Sequence, residues 1–210
     1  MKLLLVRHAI AEEVKAFIAT GGTDAQRPLT ESGRRKMRKA ANRLRLQLGQ
    51  IDILACSPLL RARETAEIIA RACGDPPVME CSELDYRYPP ERVVGWLKQY
   101  PPEVWIVAVG HEPQLGLLSG LLLANMLKPL ILFRKGGVAL IEFAGCAEIG
   151  AGRLQRMRGA PETLRIHRGE RLPQVAQHLR RLGEKGVGEF AHELRARGLA
   201  EGIERGGSDR

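Results

Sequence analysis

Apolar and polar positions along this chain change period several times, and each change marks an element. Leu3-Leu4-Leu5-Val6 is a short continuous apolar run, the pattern of a strand buried on both faces. Residues 104–109 repeat it, and residues 51–56 read as a further strand, apolar apart from Asp52. Between these runs the period becomes helical. Met37, Ala40, Ala41, Leu44 and Leu48 share one face of a helix expected to start at the N-cap Thr30 and to end at Gly49. A second helix is expected from Ser57-Pro58, with Ser57 as N-cap and Pro58 in the first turn, to Cys73. Helices are expected over 91–99 and 114–127, a short strand at 78–80, and strands at 131–133 and 137–143. Residues 154–157 can pair with the last of these as a hairpin. Strands alternating with helices in this way make an α/β protein. Two stretches resist a periodic reading. Residues 9–26 form a loop with one helical turn around 12–19, and residues 82–90 are irregular and carry Glu83, Asp85 and Arg87.

Composition sharpens this picture only in places. With 210 residues and 44% apolar content the chain can fill one substantial core, and with 4% aromatics that core is mostly aliphatic. The net charge of +9 favours anionic ligands without naming one. The charge is uneven, being dense over 34–45 and again after Arg153. Such runs are usually solvated faces, and neither stacking aromatics nor a nucleic-acid motif accompanies them, so no nucleic-acid partner is expected. After Gly159 the character changes. Amphipathic helices are expected over 172–182 and 189–197, broken by repeated glycines, so the chain divides into a domain over 1–158 and a basic C-terminal extension over 159–210 open to partner contact. Cys56, Cys73, Cys81 and Cys146 have no metal-ligand spacing and read as buried apolar residues of a reducing compartment. The N-terminal apolar run is too short for a signal peptide, and the run over 115–132 is interrupted by Lys128-Pro129. A soluble, cytoplasmic protein without a membrane partner is expected.

The candidate chemistry sits where the strands end. In α/β proteins, ligands bind at the carboxyl edge of the sheet. The first strand runs into Arg7-His8-Ala9, the second into Ser57-Pro58-Leu59-Leu60-Arg61, and the third into Gly110-His111-Glu112-Pro113. Arginine's planar fork suits phosphate, and a neutral histidine can attack phosphorus to form a covalent intermediate. Arg7 and Arg61 are therefore the candidate phosphate ligands, with a weaker claim for Arg27, just before the Thr30 helix. His8 is the candidate nucleophile, and His111, if charged, a donor to the transferring group. The start of the Ser57 helix adds backbone N–H groups. A leaving oxygen also needs a general acid, for which Glu112, Glu83 and Asp85 are all candidates; a leaving imidazole needs one less. Each motif alone is weak, since Ser-Pro-x-x-Arg by itself is merely a capped helix. Their joint order is what carries the reading. His167, His178 and His192 receive no role.

Taken together, these stretches resemble the histidine phosphatase superfamily, the group of phosphoglycerate mutases and acid phosphatases. Leu5-Val6-Arg7-His8-Ala9 is similar to its Arg-His-Gly signature, and residues 57–66 to its Ser-Pro-x-x-Arg-Ala-x-x-Thr-Ala helix. Val109-Gly110-His111-Glu112-Pro113 resembles its second-histidine motif. Arg27-Pro28-Leu29-Thr30-Glu31-Ser32-Gly33 resembles a stretch of the short SixA branch, the phosphohistidine phosphatases. The resemblance spans residues 1–157. It implies a three-layer α/β/α sandwich around a mostly parallel sheet, as in phosphoglycerate mutase. It also implies a phosphatase with a phosphohistidine intermediate on His8 and a pocket of Arg7, Arg61 and His111, with no metal and no cofactor. The expected substrate is phosphohistidine in a protein. The alternatives are a small phosphorylated molecule, or phosphate binding without turnover. Ala9 departs from the family's glycine and would cost about 1–2 kcal/mol if the position required positive φ.

Overall fold

A computed structural model describes residues 1–155 and 165–166, all within one unit spanning Met1–Gly169. The chain runs β1 (Lys2–Arg7), α1 (Val14–Ala19), α2 (Glu31–Leu44), β2 (Ile53–Cys56), α3 (Leu60–Ala72), β3 (Val78–Glu80), α4 (Pro90–Leu97), β4 (Trp105–Gly110), α5 (Gln114–Ala124), β5 (Ile131–Leu132), β6 (Val138–Glu142), β7 (Arg153–Gln155) and β8 (Arg165–Ile166). Short 3-10 turns occupy Asp24–Gln26 and Ser82–Leu84. Six strands form one sheet in the order β3-β2-β4-β1-β6-β7. The first four are mutually parallel, β6 runs antiparallel to β1, and β7 antiparallel to β6. β5 and β8 pair separately.

The continuous apolar runs are explained by helices on both faces. Successive side chains of a strand point to opposite sides. Leu3 and Leu5 of β1, with Ile106 and Ala108 of β4, pack against α4 and α5 through Val93, Leu97, Leu115 and Leu118. Leu4, Val6, Val107 and Val109 pack against α2 and α3 through Met37, Ala41, Ala66 and Ile69. All eight strand residues are fully excluded from solvent. Burying each large aliphatic side chain contributes roughly 1.5–3 kcal/mol, so the strands that deliver Arg7 and His111 are the best anchored in the sheet. The three-layer sandwich with a mostly parallel sheet is thus present.

Several boundaries differ from expectation. α2 stops at Leu44, five residues before Gly49, because the chain tightens into i→i+3 bonds from Leu46 to Arg43 and from Gln47 to Leu44. α5 stops at Ala124 because Asn125 turns left-handed at φ 55°. Apolar all round, α5 is a helix sunk in the core rather than a membrane span. Among the described residues no helix is long and apolar enough to cross a membrane. α3 begins at Leu60, after Leu59, so Ser57 is not its N-cap. The Ser57 hydroxyl is engaged elsewhere, as the site shows. The helices expected over 172–182 and 189–197, and the extension 159–210 apart from 165–166, lie outside the described residues.

Candidate active site

β1 and β4 are adjacent and parallel, so their carboxyl ends open at the same edge. The His8 amide donates to the Gly110 carbonyl at 3.0 Å, locking the two strand ends together. His8 and His111 then follow as neighbours, with ring centroids 5.0 Å apart. β2 lies on the other side of β4 and leads into α3, whose first turn carries Arg61. Arg7, His8, Arg61, His111, Arg27 and Glu112 all line one cavity of about 530 Å³. The fold therefore brings together six of the eight candidate residues, Arg27 from the loop before α2 and the others from strand ends or the first turn of α3.

The floor is held by a hydrogen-bond network. Arg7 Nη1 donates to the Phe133 carbonyl at 2.6 Å, tying the end of β1 to the segment before β6. His8 Nδ1 lies 2.7 Å from the Ala9 carbonyl. A carbonyl only accepts, so Nδ1 carries the ring hydrogen and Nε2 keeps its lone pair. The Ala9 amide donates to Thr65 Oγ1 at 3.1 Å, and the Thr65 hydroxyl donates to the Arg61 carbonyl at 2.6 Å. Thr65 thus joins the end of β1 to α3, and this is the physical content of a threonine one turn beyond Arg61. Ala9 is not among the residues with positive φ, so the strain that an alanine would suffer there does not arise.

His111 Nε2 is 2.8 Å from Ser57 Oγ. The Ser57 oxygen also accepts weakly from the Leu59 amide, at 3.4 Å, and its one hydrogen is free for His111. Ser57 therefore orients an imidazole rather than capping a helix. Burial pushes His8 down to about 3, and Arg61, Arg7 and Arg27 deepen the shift against a smaller upward pull from the Ala9 hydrogen bond. Burial pushes His111 down to about 2, with His8 and the same arginines adding to it. Burial and the neighbouring positive charges favour the neutral form of both imidazoles, so a charged, donating His111 needs added negative charge beside it. A bound phosphoryl dianion is what would draw a proton onto it.

The three candidate acids separate clearly. Glu112 lines the cavity. Burial raises its pKa, an effect offset in part by the Phe133 and Gly116 amides and by Arg7. Its Oε1 accepts from Phe133 N at 2.7 Å and its Oε2 from Gly116 N at 3.1 Å. Glu83 does not line the cavity. Its carboxylate accepts from Ser82 Oγ at 3.1 Å and the Cys81 thiol at 3.3 Å, and its own backbone amide, ahead of these partners, holds its pKa low. Asp85 is buried against Arg87 and also stands outside the lining; burial raises its pKa, but its hydrogen bonds and ion pair with Arg87 outweigh that.

Sequence reasoning passes over Asp24. Its Oδ1 meets Arg27 Nε at 2.9 Å and its Oδ2 meets Arg61 Nη2 at 3.1 Å, while its carbonyl accepts from Arg61 Nη1 at 2.8 Å. Burial raises its pKa, but the two arginines more than offset this and hold the carboxyl below its usual range. Tyr86 is passed over too, and its ring stands 5.5 Å from that of His111. Neither residue carries a local signal, because one aspartate in a polar loop or one tyrosine in an irregular segment has no periodicity to read. Gly33 has a plainer reason: a Cβ there would lie 2.0 Å from the Ile10 carbonyl, which accepts from Thr30 N where α2 begins.

A match to the model of the histidine phosphatase superfamily (branch 1) covers residues 3–86. An uncharacterized protein of Picosynechococcus is 37% identical over 119 residues, 55% of this chain and 69% of its own. The chain belongs to the histidine phosphatase superfamily. Within that superfamily it is similar to the short SixA-type branch. The structure of the protein histidine phosphatase SixA complexed with tungstate matches with a TM-score of 0.64 and 26% identity, covering 74% of this chain and 95% of that one. A mycobacterial glucosyl-3-phosphoglycerate phosphatase has the same fold, with a TM-score of 0.56 and 17% identity over 73% of this chain and 96% of that one. The family match and the SixA neighbour together support a phosphatase.

Proposed function

We propose that this chain removes phosphate from phosphohistidine in a protein, through a phosphohistidine intermediate on His8. The observation that carries the reading is the His8 ring: neutral by burial, with Nδ1 tied at 2.7 Å to the Ala9 carbonyl and its Nε2 lone pair free, in a cavity that also holds Arg7 and Arg61. Transfer of a phosphoryl group depends mostly on positioning and on stabilising charge over its oxygens. Arg7 and Arg61 supply that charge, with Arg27 at the margin. His8 Nε2 attacks phosphorus, and the bond to the leaving nitrogen breaks with its electron pair. A proton on the second nitrogen of the substrate ring lets that ring leave as neutral imidazole. Water then attacks the phosphorus on His8, the P–Nε2 bond breaks, and the pair returns to Nε2. When the leaving atom is oxygen, Glu112 supplies the proton, because its raised pKa keeps a larger protonated fraction than the depressed Glu83 or Asp85 can.

The test is phosphate release from a phosphohistidine-bearing protein and from p-nitrophenyl phosphate, side by side, in EDTA. Wild type turns over the first faster, and His8→Ala loses about 10⁴-fold or more, the scale seen when a covalent nucleophile is removed. Retained activity in a folded His8→Ala protein rejects the intermediate. Faster turnover of the ester favours a small phosphorylated molecule as substrate. Vanadate binding without turnover of either leaves a phosphate-binding module.

A further inference from the structure

The cavity is charged almost throughout, and Tyr86 is the aromatic ring that lines it besides the two imidazoles. Among its described lining residues, only Val14 and Tyr86 are neither charged nor imidazole. Tyr86 stands beside His111, ring centroids 5.5 Å apart and planes at 69°. It is 37% exposed, so much of its ring remains open to a ligand.

Its segment is irregular, yet it is firmly held. Gln114, in the first turn of α5 and 1% exposed, directs Nε2 at the Glu83, Asp85 and Tyr88 carbonyls at 2.8, 3.0 and 3.0 Å. These carbonyls bracket Tyr86 on both sides. The buried Asp85 carboxylate accepts from the Arg87 amide at 3.0 Å and pairs with the Arg87 guanidinium, closing the turn around Tyr86 from within. Because α5 starts three residues after His111, one short stretch of chain sets both the imidazole and the loop that faces it.

From this we infer that Tyr86 is the specificity residue for the leaving group and Gln114 its positioning residue, so that the site selects phosphoryl groups attached to a flat ring, imidazole or aryl, over those attached to an aliphatic chain. A planar group beyond the phosphorus meets an immobilised aromatic surface whose ordering cost is already met. An aliphatic polyol in the same place meets charged side chains and gains nothing from the ring. The inference deepens the phosphatase reading and rests on it only for placing the phosphoryl group at Arg7, His8 and Arg61.

Phosphonates separate the two ideas, because their P–C bond is not cleaved and binding is read without turnover. Calorimetry of phenylphosphonate and methylphosphonate gives an affinity ratio for each protein. The ratio in wild type is about threefold to tenfold in favour of phenyl, the range of a well-placed aromatic pair. Tyr86→Phe keeps the ratio and Tyr86→Ala brings it within about twofold of one. Gln114→Met, similar in length but without the donors, lowers it too, and adding Tyr86→Ala lowers it no further. A wild-type ratio near one, or one that survives Tyr86→Ala, overturns the inference; an unchanged ratio in Gln114→Met removes the positioning role. If Gln114→Met does not fold, the two Tyr86 variants decide alone. If neither a phosphohistidine-bearing protein nor p-nitrophenyl phosphate is hydrolysed while the ratio still depends on Tyr86, the phosphatase reading falls and the recognition of flat ligands stands.

Discussion

His8, Arg61 and His111 are at most 5% exposed, and each stands at a strand end or in the first turn of a helix. Asp24 and Tyr86 face the same cavity from short irregular segments, with 31% of the Asp24 side chain and 37% of Tyr86 exposed. The first group is a floor, the second a rim. Floor residues inherit their positions from the sheet: moving His8 means moving β1, whose Leu3, Leu4 and Leu5 are fully buried. Rim residues are placed by a few polar bonds each, Asp24 by two arginines and the Tyr86 loop by Gln114. The same cavity thus joins a part that tolerates little change to a part that can vary while the chemistry stays. On the proposed reading, reaction type belongs to the floor and leaving-group choice to the rim.

Arg61→Ala should show this difference most strongly. It removes a buried guanidinium from the proposed phosphate pocket and leaves Asp24 with one arginine instead of two. A loss of about 10²–10³-fold in kcat/KM is expected, the effect of deleting one preorganised charge stabiliser. Steady-state kinetics on p-nitrophenyl phosphate with circular dichroism as a folding control measures it. A loss below tenfold would mean that Arg61 belongs with the rim.

The same division explains what can be read from sequence. Continuous apolar runs and strand-end punctuation are local, so β1, β2, β4 and the residues that follow them are legible in the order of amino acids alone. So is the fold, since α/β alternation leaves few topologies. Ser57 is legible as a residue but not in its role: Ser-Pro is a good helix start, and only the packing of β4 beside β2 shows that its hydroxyl is taken by His111. The ends of α2 and α5 are overrun because a helical period continues past the point where the chain tightens or turns left-handed. Glu112, Glu83 and Asp85 cannot be ranked from sequence, since burial and partners decide, and these come from distant segments such as Phe133 and Gly116. Asp24 is invisible there because Arg61, which ties it to the cavity, lies 37 residues away and is brought beside it only by the folded chain.

The floor also sets an acid limit on stability. Unfolded histidine titrates near 6.5, whereas burial holds His8 at about 3 and His111 at about 2. Below 6.5 the unfolded chain takes up protons that the folded chain refuses, so stability is lost as pH falls from 7 toward 3. With two such groups, unfolding free energy should be roughly 2 kcal/mol lower at pH 5.5 than at pH 7. Asp24 works in a lower window. Its pKa is depressed, so its contribution persists until pH falls through the carboxylate range. Urea melts at the two pH values, on wild type and His8→Gln, check this. An undiminished pH dependence in His8→Gln would show that His8 is not one of the buried neutral groups responsible.

Asp24→Asn tests the rim at the smallest scale. The Asp24 carboxylate occupies donors of Arg27 and Arg61, at 2.9 and 3.1 Å, that a phosphate would need on the proposed reading. An incoming dianion must compete with it, and repulsion between carboxylate and phosphate adds to the cost. The amide keeps the shape and one acceptor but removes the charge. Partly exposed charges interact weakly, so the gain is modest: inorganic phosphate or vanadate should bind about threefold to tenfold more tightly, on the order of 1 kcal/mol. The opposite outcome is equally informative. If binding weakens by more than tenfold, the carboxylate is what holds Arg61 in its working orientation, and Asp24 moves from the rim to the floor.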